Sequence, residues 1–220
     1  MKRKEYLDFL HRHQDKKIIK IVSGVRRSGK STLFELFKND LLDEGIQPAQ
    51  LITINFEDMD NEPYTQADKL YHYISKQLIP DKMNYVFLDE IQNVNHFEKA
   101  VNSLFLKDNV DLYLTGSNAY FLSSDIATVL SGRYVELKML PLSFKEYVEW
   151  NRQNNNTKKN EELFDQYLES SFPYTLFIGS EKEKLEYLQG IYSTVILKDI
   201  VARLSAEMYS DSAVERATQF

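Results

Sequence analysis

The chain has 220 residues, 27 Lys and Arg against 33 Asp and Glu, a formal net charge of −6 and no cysteine. Disulfides and thiolate metal sites are therefore excluded, and the acidic balance argues against strong, general nucleic-acid binding while leaving room for a local basic patch. Hydrophobic content of 43% is ordinary for a globular protein; no apolar run nears the roughly 20 residues of a membrane span and no apolar signal core opens the chain, so it is expected in the cytoplasm, away from membranes.

Residues 1–16 read as a short amphipathic helix, with Tyr6, Leu7, Phe9 and Leu10 among Arg3, Lys4, Arg12 and Lys16. Seven Lys and Arg against three Asp and Glu in residues 1–20 make this segment locally basic. It is either a solvated helix on the core edge or an element that touches adenine or a polyanion. His11 and His13 are expected at the surface, and two positions apart they share no helical face for a metal.

Lys17 to Ser23 is a β-rich apolar run suited to a buried strand. It leads into Gly24-Val25-Arg26-Arg27-Ser28-Gly29-Lys30-Ser31, which fits G-x-x-x-x-G-K-[ST], the pattern of a phosphate-binding loop. Phosphate oxygens need several backbone N–H groups aimed at one point. Gly24 and Gly29 supply backbone freedom for that turn, including φ > 0. Lys30 supplies a point charge for the β- and γ-phosphates, and Ser31 a hydroxyl for Mg²⁺. Thr32 to Leu42 then carries Leu33, Phe34, Leu36, Phe37, Leu41 and Leu42 on a helical stripe, so the loop opens a helix whose N-terminal N–H groups attract anions. Gly45 reads as the helix stop.

Leu51 to Phe56 reads as a second strand, followed by Glu57, Asp58 and Asp60. These acids are either a solvated loop or an aid to Mg²⁺ through water. A helix is expected from about Gln66 to Leu78, ended by Pro80. Tyr85-Val86-Phe87-Leu88-Asp89-Glu90 is an apolar run closing in two acids, as a Walker B strand does. Asp89 is placed to hold Mg²⁺ through the metal's waters, and Glu90 to orient and deprotonate an attacking water. A further helix spans about Asn95 to Lys107. Asp111 to Asn118 then reads as a buried strand ending in polar residues, where Asn118 or Ser117 can bond the attacking water or the phosphate. The alternative is a capping Ser or Asn before a helix near residues 119–129. Ser131-Gly132-Arg133 precedes a fifth strand at Tyr134 to Leu137. Arg133 is either an arginine finger on a transferring phosphoryl or a structural arginine paired with a local acid. Strands alternating with helices imply parallel pairing.

In this order, the loop at Gly24 to Ser31, Phe87-Leu88-Asp89-Glu90, Leu114-Thr115-Gly116-Ser117-Asn118 and Ser131-Gly132-Arg133 resemble the AAA+ ATPase superfamily. More narrowly they resemble prokaryotic AAA-type ATP-binding proteins whose core precedes a C-terminal domain of unknown function. Leu140 to Tyr147 is also typical of that group. The resemblance, over about residues 15–205, implies a three-layer α/β P-loop NTPase sandwich with a five-stranded parallel sheet, and Mg²⁺-dependent ATP binding and hydrolysis. It gives nucleotide contacts to Gly24, Val25, Arg26, Arg27, Ser28, Gly29, Lys30, Ser31 and Thr32, and metal contacts to Ser31 and Asp89. Catalysis falls to Glu90, Lys30, Asn118 and Arg133, with Asn118 or Ser117 at sensor 1. Members of the group run well beyond 220 residues, so this chain is expected to be a fragment that has lost a C-terminal domain.

Asn151 to Asn160 is polar and of low complexity, and is expected to be a loop or disordered linker. Glu161 to Ser170 and Glu181 to about Leu204 read as helices, the second bearing Leu185, Leu188, Ile191, Tyr192, Val195, Ile196 and Ile200. The domains expected are an N-terminal helix (1–16), the ATPase core (17–140) and a helical lid or bridging segment (141–220). The function expected is ATP hydrolysis driving a conformational switch, in a nucleic-acid-associated process. Partners besides ATP are a protein or a second copy of the chain, met through Arg133 and the C-terminal helices, and DNA. The alternatives are a small-molecule or nucleotide kinase and a nucleotide-gated module without turnover.

Overall fold

A computed structural model describes residues 3–116, 130 and 132–194. Ser117, Asn118, Ser131, the helix expected near residues 119–129 and the stretch beyond Thr194 lie outside the described residues. The chain divides into two compact units, Met1–Gly24 with Ser28–Leu140 and Val25–Arg27 with Pro141–Phe220.

The first unit is built on five parallel strands: β1 (Ile19–Gly24), β2 (Leu51–Asn55), β3 (Asn84–Asp89), β4 (Val110–Gly116) and β5 (Tyr134–Met139), in the order β2-β3-β4-β1-β5. Helices α1 (Lys4–His13), α2 (Lys30–Asp43), α3 (Ala67–Gln77) and α4 (Phe97–Phe105) belong to the same unit. β1, β3 and β4 are buried from end to end, which is why they read as near-continuous apolar runs. Alternation along them still sorts side chains by face. Ile21, Val86, Leu88, Leu112 and Leu114 pack with Leu70, Ile74, Phe97, Val101 and Leu104 of α3 and α4. Val22, Phe87 and Tyr113 pack with Leu7 and Leu10 of α1 and Leu33, Phe34, Phe37 and Leu41 of α2. Helices thus cover both faces of a parallel sheet, the expected α/β three-layer sandwich.

The end of α2 follows from Gly45, which takes φ 94° so that its N–H reaches Leu42 O while the N–H of Ile46 reaches Leu41 O. This is a Schellman stop. Glu57, Asp58 and Asp60 are exposed, and Asp58 accepts from the Asp60 N–H to open a 3₁₀ turn over Met59–Tyr64.

His11 and His13 are half-buried rather than exposed. α1 lies on α2, where His11 meets Asp40 (Nε2 to Oδ2 3.2 Å) and the edge of Phe37, and His13 Nδ1 lies 2.9 Å from Phe9 O. The basic character of the segment is also partly spent inside. Lys20 is fully buried and donates to Asp111, which accepts further bonds from the Tyr113 hydroxyl and the Asp15 N–H. Burial pushes the Lys20 ammonium below its ordinary range and the Asp111 carboxyl above its own, and it raises the Tyr113 phenol.

In the second unit, α5 (Phe144–Gln153) and α6 (Asn160–Glu169) meet at a small core of Leu142, Tyr147 and Leu163, and α7 (Glu181–Thr194) follows. Ser143 and Glu146 form a capping box at the start of α5. The asparagine-rich run is the end of α5 and the loop to α6, the first of the two forms expected, and it is held by hydrogen bonds. Arg152 donates to Asn156 O, Lys158 O and Asn160 Oδ1, and buried Asn151 accepts from Asn156. Polar side chains here satisfy the backbone of a helix-to-helix turn, a role that needs no apolar area. Among the described residues no helix is long and apolar enough to cross a membrane.

Candidate functional site

The parallel sheet brings the C-terminal ends of its strands to one edge, and the glycine loop leaves β1 there. In the register, Gly24 lies opposite Met139. A Cβ on Gly24 would stand 2.2 Å from the Met139 carbonyl oxygen, so glycine is required here by close backbone approach to β5. The freedom expected of Gly24 at φ > 0 is used instead at Arg27 (φ 65°) and Gly29 (φ 100°). Gly29 is the N-cap of α2, so the helix begins at Lys30 with its first N–H groups unpaired within the helix.

Lys30 is buried. Its ammonium donates to Gly24 O (3.1 Å) and lies 3.3 Å from Glu90 Oε1. The loop lysine and the second acid of the β3 terminus are thus in direct contact. Ser31 and Thr32 are exposed in the first turn of α2, and Val25 and Arg26 are half-buried with Arg27 exposed. The Ser28 hydroxyl is buried and makes no hydrogen bond. Such a group is costly to leave unmatched, by about 1–3 kcal/mol, and an anion oxygen or water is the partner it lacks.

Asp89 and Glu90 are both buried at the end of β3. β4 stands between β3 and β1, and its Thr115 joins the two acids: the hydroxyl donates to Asp89 Oδ1 and accepts from the Glu90 N–H at 2.9 Å. Glu90 takes φ 56°, an uncommon conformation for a residue with a side chain. This turns the chain out of the strand into a 3₁₀ turn (Ile91–Asn93) and separates the direction of Glu90 from that of Asp89. Gln92 Nε2 then donates to Glu90 Oε2 at 2.5 Å. Thr115 and Gln92 were not singled out by motif. Thr115 lies inside the stretch from Leu114 to Asn118 and Gln92 two residues past Glu90, but their roles depend on strand register and on a positive φ that spacing does not reveal.

Arg133 is not brought to this edge. Tyr134 lies opposite Ile19 at the start of β1, so Arg133 sits at the other end of the sheet, six residues or about 20 Å of strand from the loop. There it donates to Asn102 Oδ1 of α4 at 2.8 Å and lies over the Phe105 ring. Its local partner is an amide rather than the expected acid. Asn118 and Ser117 fall outside the described residues.

The donors gathered at the loop suit a magnesium-bound triphosphate. Ser31 and Asp89 offer hard oxygen ligands, and Thr115 engages only one carboxylate oxygen of Asp89. Among the described residues no group of three or more His, Cys, Asp or Glu could hold a metal. Mg²⁺ here would rely on few protein ligands, as it commonly does.

Comparison with known proteins bears on the same elements. An uncharacterized protein of Haemophilus influenzae is 37% identical over 208 residues, covering 91% of this chain and 50% of its own. An uncharacterized protein of Methanocaldococcus jannaschii is 31% identical over 209 residues, covering 90% and 45%. The chain therefore spans about half the length of the curated relatives it matches. Among solved structures, a Walker-type ATPase of Pyrococcus abyssi superposes with a TM-score of 0.56 at 17% identity, over 99% of this chain and 76% of that one. AMPPCP-bound DnaA of Aquifex aeolicus gives 0.54 at 16% identity, over 88% and 62%. At these identities the likeness is one of fold. The AAA domain family matches residues 16–148, more than half of the chain and every element that builds the glycine loop and the acid pair, and the protein belongs to that family.

Proposed function

We propose that the protein binds ATP with Mg²⁺ at the glycine loop and hydrolyses it, and that turnover drives a conformational switch. One observation carries the reading: the loop lysine and the acid after β3 meet inside one buried site, Lys30 Nζ to Glu90 Oε1 at 3.3 Å. A charge pair of this kind is poised to exchange partners. When phosphate arrives, Lys30 turns from Glu90 to the β- and γ-oxygens, and the carboxylate is released for a water molecule. Glu90 orients that water and takes its proton at a carboxylate oxygen, while Gln92 limits the rotation of the group. Ser31 and Asp89 would hold Mg²⁺, which neutralises phosphate charge when bound. Asn118 is retained as the sensor of the γ-phosphate, and Arg133 as a residue that can reach a phosphate only in another copy of the chain.

The fold neighbour DnaA is AMPPCP-bound, which supports a nucleotide as the ligand of this chain. A DNA partner draws less support from the N-terminal segment than its charge implied, since Arg3 and Lys20 are buried. The test is nucleotide binding and phosphate release by wild type, Lys30→Ala and Glu90→Gln. Lys30→Ala is expected to lose ATP binding. Glu90→Gln is expected to keep ATP bound while turnover falls by about a hundredfold or more. Wild-type hydrolysis by Glu90→Gln removes the base assignment, and a wild type that neither binds nor turns over ATP removes the whole reading.

A further inference from the structure

Arg3 is a cation placed where a surface helix would not need one. It precedes α1 by a single residue, yet only 6% of it is exposed. Its Nη1 donates to two backbone carbonyls that are far apart in sequence, Ser28 O in the glycine loop at 3.3 Å and Leu140 O after β5 at 2.8 Å. The guanidinium lies 4.3 Å from the centre of the Tyr6 ring, and the Tyr6 hydroxyl accepts from the Leu140 N–H at 3.4 Å. A buried guanidinium is costly unless its donors are matched, and the Ser28 carbonyl is one of the acceptors that match it.

That carbonyl has a geometric consequence. In a trans peptide the C=O and the following N–H point in opposite directions. No peptide among the described residues is cis. With Ser28 O held toward Arg3, the N–H of Gly29 is aimed away from it. Gly29 is the N-cap of α2 and stands at φ 100°, where a peptide flip meets little steric resistance. A loop of this kind can present either face of the 28–29 peptide to an anion, and a carbonyl facing phosphate would repel it.

We infer that Arg3 is a positioning residue for triphosphate binding, which locks the 28–29 peptide so that the Gly29 N–H faces the phosphate cleft. This rests on reading the loop as a triphosphate cradle. Arg3 acts through the backbone of the loop and touches no phosphate itself. The basic N-terminal segment thereby contributes to anion binding from behind the loop, by orienting a donor, rather than by offering a cationic surface.

The experiment compares wild type, Arg3→Ala and Arg3→Lys as full chains, with Lys30→Ala as the reference, by titration with ATP, inorganic tripolyphosphate and adenosine. A charge-assisted bond to a carbonyl corresponds to about a tenfold change in affinity. Arg3→Ala is expected to weaken ATP and tripolyphosphate by about that factor while adenosine affinity stays unchanged. Arg3→Lys, which keeps a donor but loses the planar fork, is expected to fall between the two. Should Arg3→Ala unfold, Arg3→Lys decides on the same ratio of ATP to adenosine affinity. Equal loss of ATP and adenosine affinity would mean general loosening and overturn the inference, as would ATP affinity equal to wild type. Those results with ATP binding still abolished by Lys30→Ala overturn this inference alone. A wild type that binds neither ATP nor tripolyphosphate overturns the cradle reading and this inference together.

Discussion

Thr115 shows how one hydroxyl can organise two acids. It donates to Asp89 Oδ1 and receives the Glu90 N–H, so it sets both the first acid's free oxygen and the backbone bend that carries the second. Thr115→Val keeps the shape and removes both bonds. Two buried polar groups are then unmatched, and the expected loss is about 1–3 kcal/mol of stability. If hydrolysis proceeds as proposed, turnover falls by about tenfold or more, because Glu90 loses its fixed direction. Thr115→Ser restores both. Thermal unfolding and phosphate release on the three forms check this, and a Val form with wild-type turnover would show that the hydroxyl does not aim the acid.

At the scale of elements, the glycine loop is held by its flanks. β1 and β5 run side by side, and Gly24 is the last paired residue before the chain turns. Gly24→Ala puts a methyl group 2.2 Å from a strand carbonyl, with Met139 C and Ser28 Oγ also within 3.2 Å. Backbone cannot yield as a flexible side chain does. The expected cost is about 3 kcal/mol or more, at the upper end of overpacking. Urea denaturation measures it, and an unchanged midpoint would mean that the strands part freely at this point. The turn after α5 makes the complementary case. Asn151 to Asn160 lacks apolar residues, and composition points to a loop or a disordered linker there. Arg152 instead ties three acceptors together, so local hydrogen bonds supply the order that a core would otherwise provide.

At the scale of the molecule, parallel strands divide the first unit into two working edges. The loop, Lys30, Asp89 and Glu90 share one, and Arg133 stands at the other. No side chain spans about 20 Å of strand, so Arg133 could touch the transferring phosphate only from a second copy of the chain. Under the proposed function, ATPase activity per chain should rise with protein concentration, and Arg133→Ala should remove that rise while leaving the dilute rate unchanged. Activity independent of concentration in both proteins would withdraw Arg133 from catalysis.

Much of this was legible in the residues alone. The phosphate-loop pattern, the apolar run closing in Asp89 and Glu90, and the alternation of strand and helix are local signals, and they were enough for a parallel α/β sandwich and for Lys30, Ser31, Asp89 and Glu90 as its candidate site. Tertiary structure decided which strand lies between which. Only an order with β4 beside β3 puts Thr115 against the acid pair, and the parallel register of β5 on β1 sets Arg133 at the opposite end of the sheet from the loop. It also decided the fate of Arg3, which read as one cation of an amphipathic helix, and the partner of Lys20, which was counted only in the local charge, because composition cannot tell a solvated cation from one matched by distant carbonyls or a buried carboxylate. Periodicity and motif report on neighbours along the chain; strand register and buried hydrogen bonds join residues that are far apart in it.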